Sequence, residues 1–311
     1  MVIHTTRFPQ KIFQNLIEQG YQIRVMSIEH LPQIQDEIEG HLQQGELDEE
    51  FYKIRLSWFD FHPPETLPHA RSLIVAAVPR PQTQATFRYK GRRRTLSLPP
   101  TYTDYDNITQ QVADEIAVAI KKSGYQVAKT SLPLKLLATR TGLAQYGRNN
   151  ITYVPTMGSY LQLIAVYSDM PCQDDSWQES LMMAACESCE LCRKACPTKA
   201  IPSDRFLLRA ERCIVFHNEK PGSIPFPQWM DRSWHNCVVG CLYCQRVCPV
   251  DKKFVRWTGK HEEFSEQETA LFLRGAKAEE LPEETLSKLK NLSLDEYLGM
   301  LPRNLGVFFE L

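Results

Sequence analysis

The chain has 311 residues and a mass of 35.9 kDa, with 43% hydrophobic and 23% charged residues, enough to bury one large core or two ordinary ones. Its 36 Lys+Arg against 37 Asp+Glu leave a net charge of −1, which excludes a globally basic nucleic-acid binder but not a local basic patch. No apolar run approaches the ~20 residues of a membrane span, and MVIHTTRFPQKIF has no charged start followed by an apolar stretch, so no secretion signal is expected and the cytoplasm is the expected location.

In chain order, residues 7–19 read as a short amphipathic helix closed by Gly20, with Ile12, Phe13, Leu16 and Ile17 on one face. A second helix is expected across Leu31–Leu42, and the aromatic, proline-rich stretch 50–70 reads as irregular. SLIVAAVP at 72–79 is a buried strand, and 80–104 reads as a loop carrying KGRRRTLSLPP. The strongest helix is Tyr105–Ser123, where Ile108, Val112, Ile116, Ala119 and Ile120 share a stripe and Gly124 ends it. A strand near Tyr125–Lys129, a helix over Leu134–Thr141 and a strand at 160–169 follow. Strands alternating with helices predict an α/β or α+β layer packing for residues 1–175. Residues 263–300 read as two or three short polar helices, FSEQETALFLRGA, PEETLSKLKNL and LDEYLGML.

The cysteines carry the chemistry. There are ten, none before Cys172, and nine lie between Cys186 and Cys248. In a chain placed in the cytoplasm, such density points to metal ligation rather than disulfides. Cys186-x2-Cys189-x2-Cys192-x3-Cys196-Pro197 is the bacterial ferredoxin pattern for a [4Fe–4S] cluster, whose fourth cysteine turns away to a second cluster. Cys241-x2-Cys244-x3-Cys248-Pro249 ends the same way but is one ligand short. Crossing the ligands gives one cluster on Cys186, Cys189, Cys192 and Cys248, and a second on Cys196, Cys241, Cys244 and either Cys213 or Cys237. Two structural zinc sites could use the same residues, but the compact run ending in Cys-Pro is the iron–sulfur signature. Cys237-x3-Cys241-x2-Cys244 also has radical SAM spacing, yet only residues 245–311 follow it, too few for the barrel such enzymes need.

With these residues in view the chain resembles the epoxyqueuosine reductase family, in which a cobalamin-binding α/β domain is fused to a double-cluster ferredoxin-like module. The resemblance rests first on the cysteine order. It is joined by Pro68-His69-Ala70-Arg71-Ser72, Asp104-Tyr105, the stretch from Gly142 through Gln145-Tyr146-Gly147-Arg148-Asn149, Gly158-Ser159-Tyr160 and Asp169. Cys196-Pro197-Thr198-Lys199-Ala200-Ile201 and Arg212-Cys213-Ile214 also fit.

The resemblance implies an α+β architecture: an N-terminal α/β cobalamin-binding-like domain over 1–175, a ferredoxin-like double [4Fe–4S] module over 176–255 and a short helical extension over 256–311. It favours Cys213, returned by a long loop, as the eighth ligand. It assigns cofactor contacts to Gly142, Gly147, Arg148, Asn149, Gly158 and Ser159. It further implies a low-potential electron donor such as ferredoxin or flavodoxin, no membrane, and a small-molecule or tRNA substrate. An electron-transfer or cobalamin-handling protein without substrate chemistry is the alternative.

Two departures matter. The family's D-[TS]-x-P segment, source of its proton donor, corresponds to Val127–Pro133 here, and no Asp or Glu occurs between Glu115 and Asp169. The family's D-Y-H triplet reads Asp104-Tyr105-Asp106. Bond cleavage at an epoxide oxygen needs an acid. A lysine whose charge is suppressed by burial could supply it, which makes Lys129 a candidate donor, with Tyr146 or Tyr125 as alternatives; the ordinary reading of Lys129 is a surface residue at a strand end. The KGRRRTLSL segment could contact phosphates or simply be a solvated charge run. Trp229 and Trp234 are expected to shield a cluster from water.

Overall fold

A computed structural model describes residues 11–310, so the first part of the helix expected over 7–19 lies outside the described residues. The strands are β1 Gln22–Ser27, β2 Ser72–Pro79, β3 Gln82–Tyr89, β4 Arg92–Leu98, β5 Val127–Lys129, β6 Gln145–Tyr146, β7 Thr152–Tyr153, β8 Leu161–Ser168 and β9 Thr258–Phe264. The α-helices are α1 Gln14–Glu18, α2 Leu31–Gln43, α3 Glu49–Arg55, α4 Tyr105–Lys121, α5 Leu134–Arg140, α6 Leu191–Ala195, α7 Ile214–Asn218, α8 Tyr243–Arg246, α9 Glu266–Leu273, α10 Glu283–Asn291 and α11 Leu301–Phe309. The chain forms two compact units, one of residues up to Pro79 with Asp106–Cys189, the other of Arg80–Tyr105 with Glu190–Leu311.

The first unit is built on a four-stranded sheet in the order β1-β2-β8-β5. Its central strands are apolar on both faces because both faces are covered. Leu73, Val75 and Ala77 of β2 pack beneath Leu31, Ile34, Leu136 and Leu137. The alternate residues Ile74, Ala76 and Val78 pack beneath Phe13, Leu16, Val112, Ile116 and Ile120. This is the period-2 alternation of a strand buried between two helical layers. Every pairing is antiparallel, with Val75 opposite Ala165 and Ile74 opposite Val25. The expected α/β character is therefore realised as a three-layer antiparallel arrangement rather than as parallel crossovers. The stretch expected to be irregular from residue 50 instead begins in helix α3, whose N-cap Asp48 accepts from the Phe51 N–H at 2.8 Å.

In the second unit, residues 80–98 form a hairpin, not the expected loop. Lys90 (φ 48°) and Gly91 (φ 70°) make the turn, both with the positive φ that a tight hairpin demands. β9 adds in parallel to the other edge of β3. Phe87 stacks on Phe264 with centroids 5.1 Å apart and meets the edge of Phe272 on α9. Leu289, Leu301, Leu305 and Phe309 complete that core. A capping box between Ser265 and Glu268 starts α9. Two of the expected C-terminal helices are α9 and α10, whereas LDEYLGML ends in a 3-10 turn, Leu298–Met300, that leads into α11.

Candidate iron–sulfur centre

Three thiols of the second unit, those of Cys196, Cys213 and Cys241, lie near one another. Cys196 ends α6, Cys213 directly precedes α7, and Cys241 and Cys244 flank the start of α8. Burial pushes the Cys213 thiol up to about 12, with the Cys241 and Cys196 sulfurs adding to the effect. The Cys241 thiol is raised by burial too, and Cys196 again contributes. The Cys213 and Cys241 sulfurs thus lie close enough to Cys196 to feel its charge, all three partly buried, and thiols so grouped are the donor type that a metal cluster binds as thiolates. Cys196 also contacts Thr198 Oγ1 at 3.4 Å.

Cys237 is placed differently. It is 1% exposed, and its thiol donates to Asn236 Oδ1 at 3.0 Å. Asn236 in turn donates from Nδ2 to Cys241 Sγ at 3.3 Å and accepts from the Leu242 N–H at 3.0 Å. Cys237 thus packs behind the ligand loop, while Asn236 offers the Cys241 sulfur an N–H bond of the kind that tunes a cluster's potential.

Several residues that hold this loop carry no signal in the sequence. Asn218 donates to the Gly240 carbonyl at 2.7 Å and accepts from the Gly240 N–H at 3.2 Å. Asn304 on α11 donates to the carbonyls of Asn218 and Val238, both at 2.9 Å. Arg303 donates to four carbonyls, those of Asn218, Lys220, Pro221 and Ile224. The C-terminal helix therefore anchors the segments that follow Cys213 and precede Cys241. His217 is buried and hydrogen-bonded to the Glu211 carbonyl at 2.7 Å, and burial, with Arg303 adding, pushes His235 down to about 4, so His235 is a neutral packing group. Trp229, 43% exposed, stands edge-on to His217 and beneath the Arg212 guanidinium.

In the first unit, Cys186 and Cys189 lie at a 3-10 turn fixed by Arg148. Its guanidinium donates to the carbonyls of Cys186 (2.6 Å), Glu187 (3.1 Å) and Cys189 (2.9 Å). Asn149 donates to the Tyr153 hydroxyl at 3.0 Å. A Cβ at Gly147 would stand 2.5 Å from Asn149 Oδ1 and 2.6 Å from the Tyr153 ring, and one at Gly142 would meet Gln178 at 2.9 Å. Gly158 turns the chain with φ 58°, and Ser159 is buried beside it. The space left by the glycines is filled by the protein's own side chains, and the polar groups of Arg148 and Asn149 are spent internally.

The donor candidates separate as well. Lys129 is exposed at the end of edge strand β5, the ordinary surface position for a lysine. Tyr146 is held up to about 12, chiefly by burial, and so is a weak acid. Arg88 and Arg93 share Glu263, and Arg92 pairs with Glu310, so two carboxylates offset part of the charge of the basic hairpin. Among the described residues no helix is long and apolar enough to cross a membrane, and no group of three or more His, Cys, Asp or Glu is placed to hold a single metal ion. A cubane holds its thiolates farther apart than one tetrahedral ion does.

The fold and the thiol arrangement define a protein with a double-cluster module. Residues 185–251 match the family model described as a 4Fe-4S double cluster binding domain. In sequence the chain resembles epoxyqueuosine reductases. It is 29% identical over 199 residues to the enzyme of Staphylococcus aureus, covering 61% of this chain and 50% of that one. It is 24% identical to that of Atelocyanobacterium thalassa (71% of each) and 33% identical to that of Pseudomonas aeruginosa (49% and 41%). The match thus spans half or less of the S. aureus and P. aeruginosa proteins. In fold it is similar to the Bacillus subtilis epoxyqueuosine reductase whose catalytic aspartate loop is swung out of the active site, with a TM-score of 0.68 at 21% identity over 96% of this chain and 79% of that one. An epoxyqueuosine reductase bound to a modified tRNA stem loop gives 0.64 at 20% identity, with the same coverage.

Proposed function

We propose that the chain is an iron–sulfur reductase of the epoxyqueuosine reductase type, acting in the cytoplasm. Electrons would pass one at a time through two [4Fe–4S] clusters to a reductive reaction, with cobalamin as the acceptor that the resemblance implies. The observation that carries this reading is the closeness of Cys196, Cys213 and Cys241 to one another, which is compatible with the crossed ligand order of a double-cluster module. Cys196, Cys213, Cys241 and Cys244 would hold one cluster, and Cys186, Cys189, Cys192 and Cys248 the other. Each cluster when bound supplies one-electron chemistry. The protein's part is to bury the sulfurs, to place the Asn236 N–H on Cys241, and to fix the Cys186–Cys189 turn through Arg148.

A cavity of about 440 Å³ lined by Arg246, Cys248, Pro249, Lys252, Val255 and Arg256 gives a ligand cysteine a cationic mouth. That charge suits an acidic, low-potential donor such as ferredoxin or flavodoxin. A tRNA substrate is favoured over a free small molecule by the relatives, one of which is known bound to a tRNA stem loop. The inward-turned Arg148 and Asn149 favour a second reading, in which the clusters serve electron transfer without corrin-based substrate chemistry.

Iron, zinc and labile sulfide analysis of anaerobically reconstituted protein tests the cluster reading, with visible spectra taken before and after adding cobalamin. About eight irons and eight sulfides per chain are expected. Zinc with no labile sulfide would overturn it, and an unchanged corrin spectrum would select the second reading.

A further inference from the structure

The segment Val127–Pro133 contains no carboxylate, and Lys129 within it is exposed. A carboxylate nevertheless reaches this segment from another part of the chain. The contact falls two residues beyond the end of β5, and its other side lies in the stretch that follows helix α3. Asp60 and Ser131 form a bridge in which the Asp60 N–H donates to the Ser131 carbonyl at 2.9 Å. The Ser131 hydroxyl closes the contact by donating to the Trp58 carbonyl at 3.3 Å. Directly opposed residues of an antiparallel pair point to the same side, so the Asp60 carboxylate stands on the Ser131 side of a segment that has no carboxylate of its own.

Asp60 does not stand alone. Its Oδ1 accepts from the His62 N–H at 3.0 Å and pairs with His62 Nδ1 at 3.1 Å. These bonds hold the Asp60 carboxyl below its ordinary range. A carboxylate on Nδ1 orients the imidazole and leaves Nε2, on a side chain 86% exposed, to meet a visiting group. Tyr167 of β8 lies within reach of the Asp60 charge. It is 1% exposed, and its buried hydroxyl has no hydrogen-bond partner among the described residues. Burial, and then the charge of Asp60, raise its pKa, so it stays a phenol. Trp58, 58% exposed and tilted against Phe59, adds an aromatic face of the kind on which an unstacked base can rest.

We propose that Asp60 and His62, near Tyr167, supply the proton that the segment 127–133 cannot. The proposal rests on the reductase reading above and deepens it. Conversion of an epoxide to an alkene and water consumes two electrons and two protons. The electrons come from the low-potential donor by way of the clusters. As the first C–O bond breaks, the Nε2–H bond of the His62 imidazolium breaks and an O–H bond forms on the epoxide oxygen, leaving a neutral imidazole beside Asp60. The second proton comes from solvent as the oxygen departs as water, and solvent reprotonates His62.

The test uses the full chain carrying both clusters and cobalamin, with an RNA stem loop bearing the epoxide nucleoside as probe. His62→Gln is expected to slow single turnover about 10²–10⁴-fold, and Asp60→Asn to slow it as well, with iron content and visible spectrum unchanged. Lys129→Ala is expected to leave the rate alone, and added imidazole to restore part of it in His62→Gly. Wild-type rates in both His62→Gln and Asp60→Asn would overturn the proposal. A wild-type chain without turnover would instead remove the epoxide reading, and histidine NMR then decides the pair. A His62 signal that moves on adding the stem loop in wild type but not in Asp60→Asn keeps it as the group that meets substrate. A signal that does not move overturns it.

Discussion

Replacing Cys213 or Cys237 by Ala separates the eighth ligand from its neighbour. Cys213 shares its pocket with both Cys196 and Cys241, whereas Cys237 is close to Cys241 alone and gives its thiol proton to Asn236. Cys213→Ala should take bound iron from about eight to about four per chain, because three thiolates remain where a cubane takes four. The loss extends to folding, since a metal centre formed only in the native state stabilises that state. Cys237→Ala removes one buried sulfur and one hydrogen bond, a cost of about 1 kcal/mol. Asn236 keeps its bonds to Leu242 and Cys241, so the iron should stay at about eight. The assay is iron and labile sulfide per chain after anaerobic reconstitution, with the visible absorbance of each variant before and after reduction. Iron halved by Cys237→Ala and intact in Cys213→Ala would refute the reasoning from the shared pocket.

Arg148→Ala removes three hydrogen bonds to the carbonyls around Cys186 and Cys189. It should cost about 2–4 kcal/mol, with slower or incomplete iron incorporation, read from a urea midpoint and an iron titration; full incorporation with an unchanged midpoint would show that the turn holds itself. Arg303→Ala strips the donor from four carbonyls of the 218–224 segment and should cost a similar ~2–4 kcal/mol. It should also make the second unit's cluster easier to extract with a chelator, and wild-type extraction kinetics would count against an anchoring role for α11.

The elements legible in the sequence were those with one dominant local signal. The stripe of Ile108, Val112, Ile116 and Ile120 marks α4, the apolar run 72–79 marks β2, and the cysteine spacing marks the double-cluster module, because loop length alone decides whether three thiolates can wrap one cubane. The hairpin at 80–98 was hidden because its charges conceal the alternation: Arg88, Arg92 and Arg93 lie on strands, with glutamates from β9 and the C-terminus bringing a partial offset that no local window contains.

Tertiary structure alone separates the surroundings of the two candidate ligands. Spacing leaves Cys213 and Cys237 equivalent, and only the fold puts one beside two sulfurs and the other behind an asparagine. Spacing likewise gives no reason to connect α11 with cysteines some sixty residues away, yet Arg303 and Asn304 fix the backbone around them. The same holds for Asp60, whose carboxylate is about seventy residues from Ser131 in the chain and adjacent to it in space, because strand pairing is set by register rather than by order. Sequence determines which chemistry the chain can carry, since ligand type and local spacing are written residue by residue. Which of those residues meet is settled by long-range packing, where the partners of a buried thiol or an exposed carboxylate come from segments that no local pattern joins.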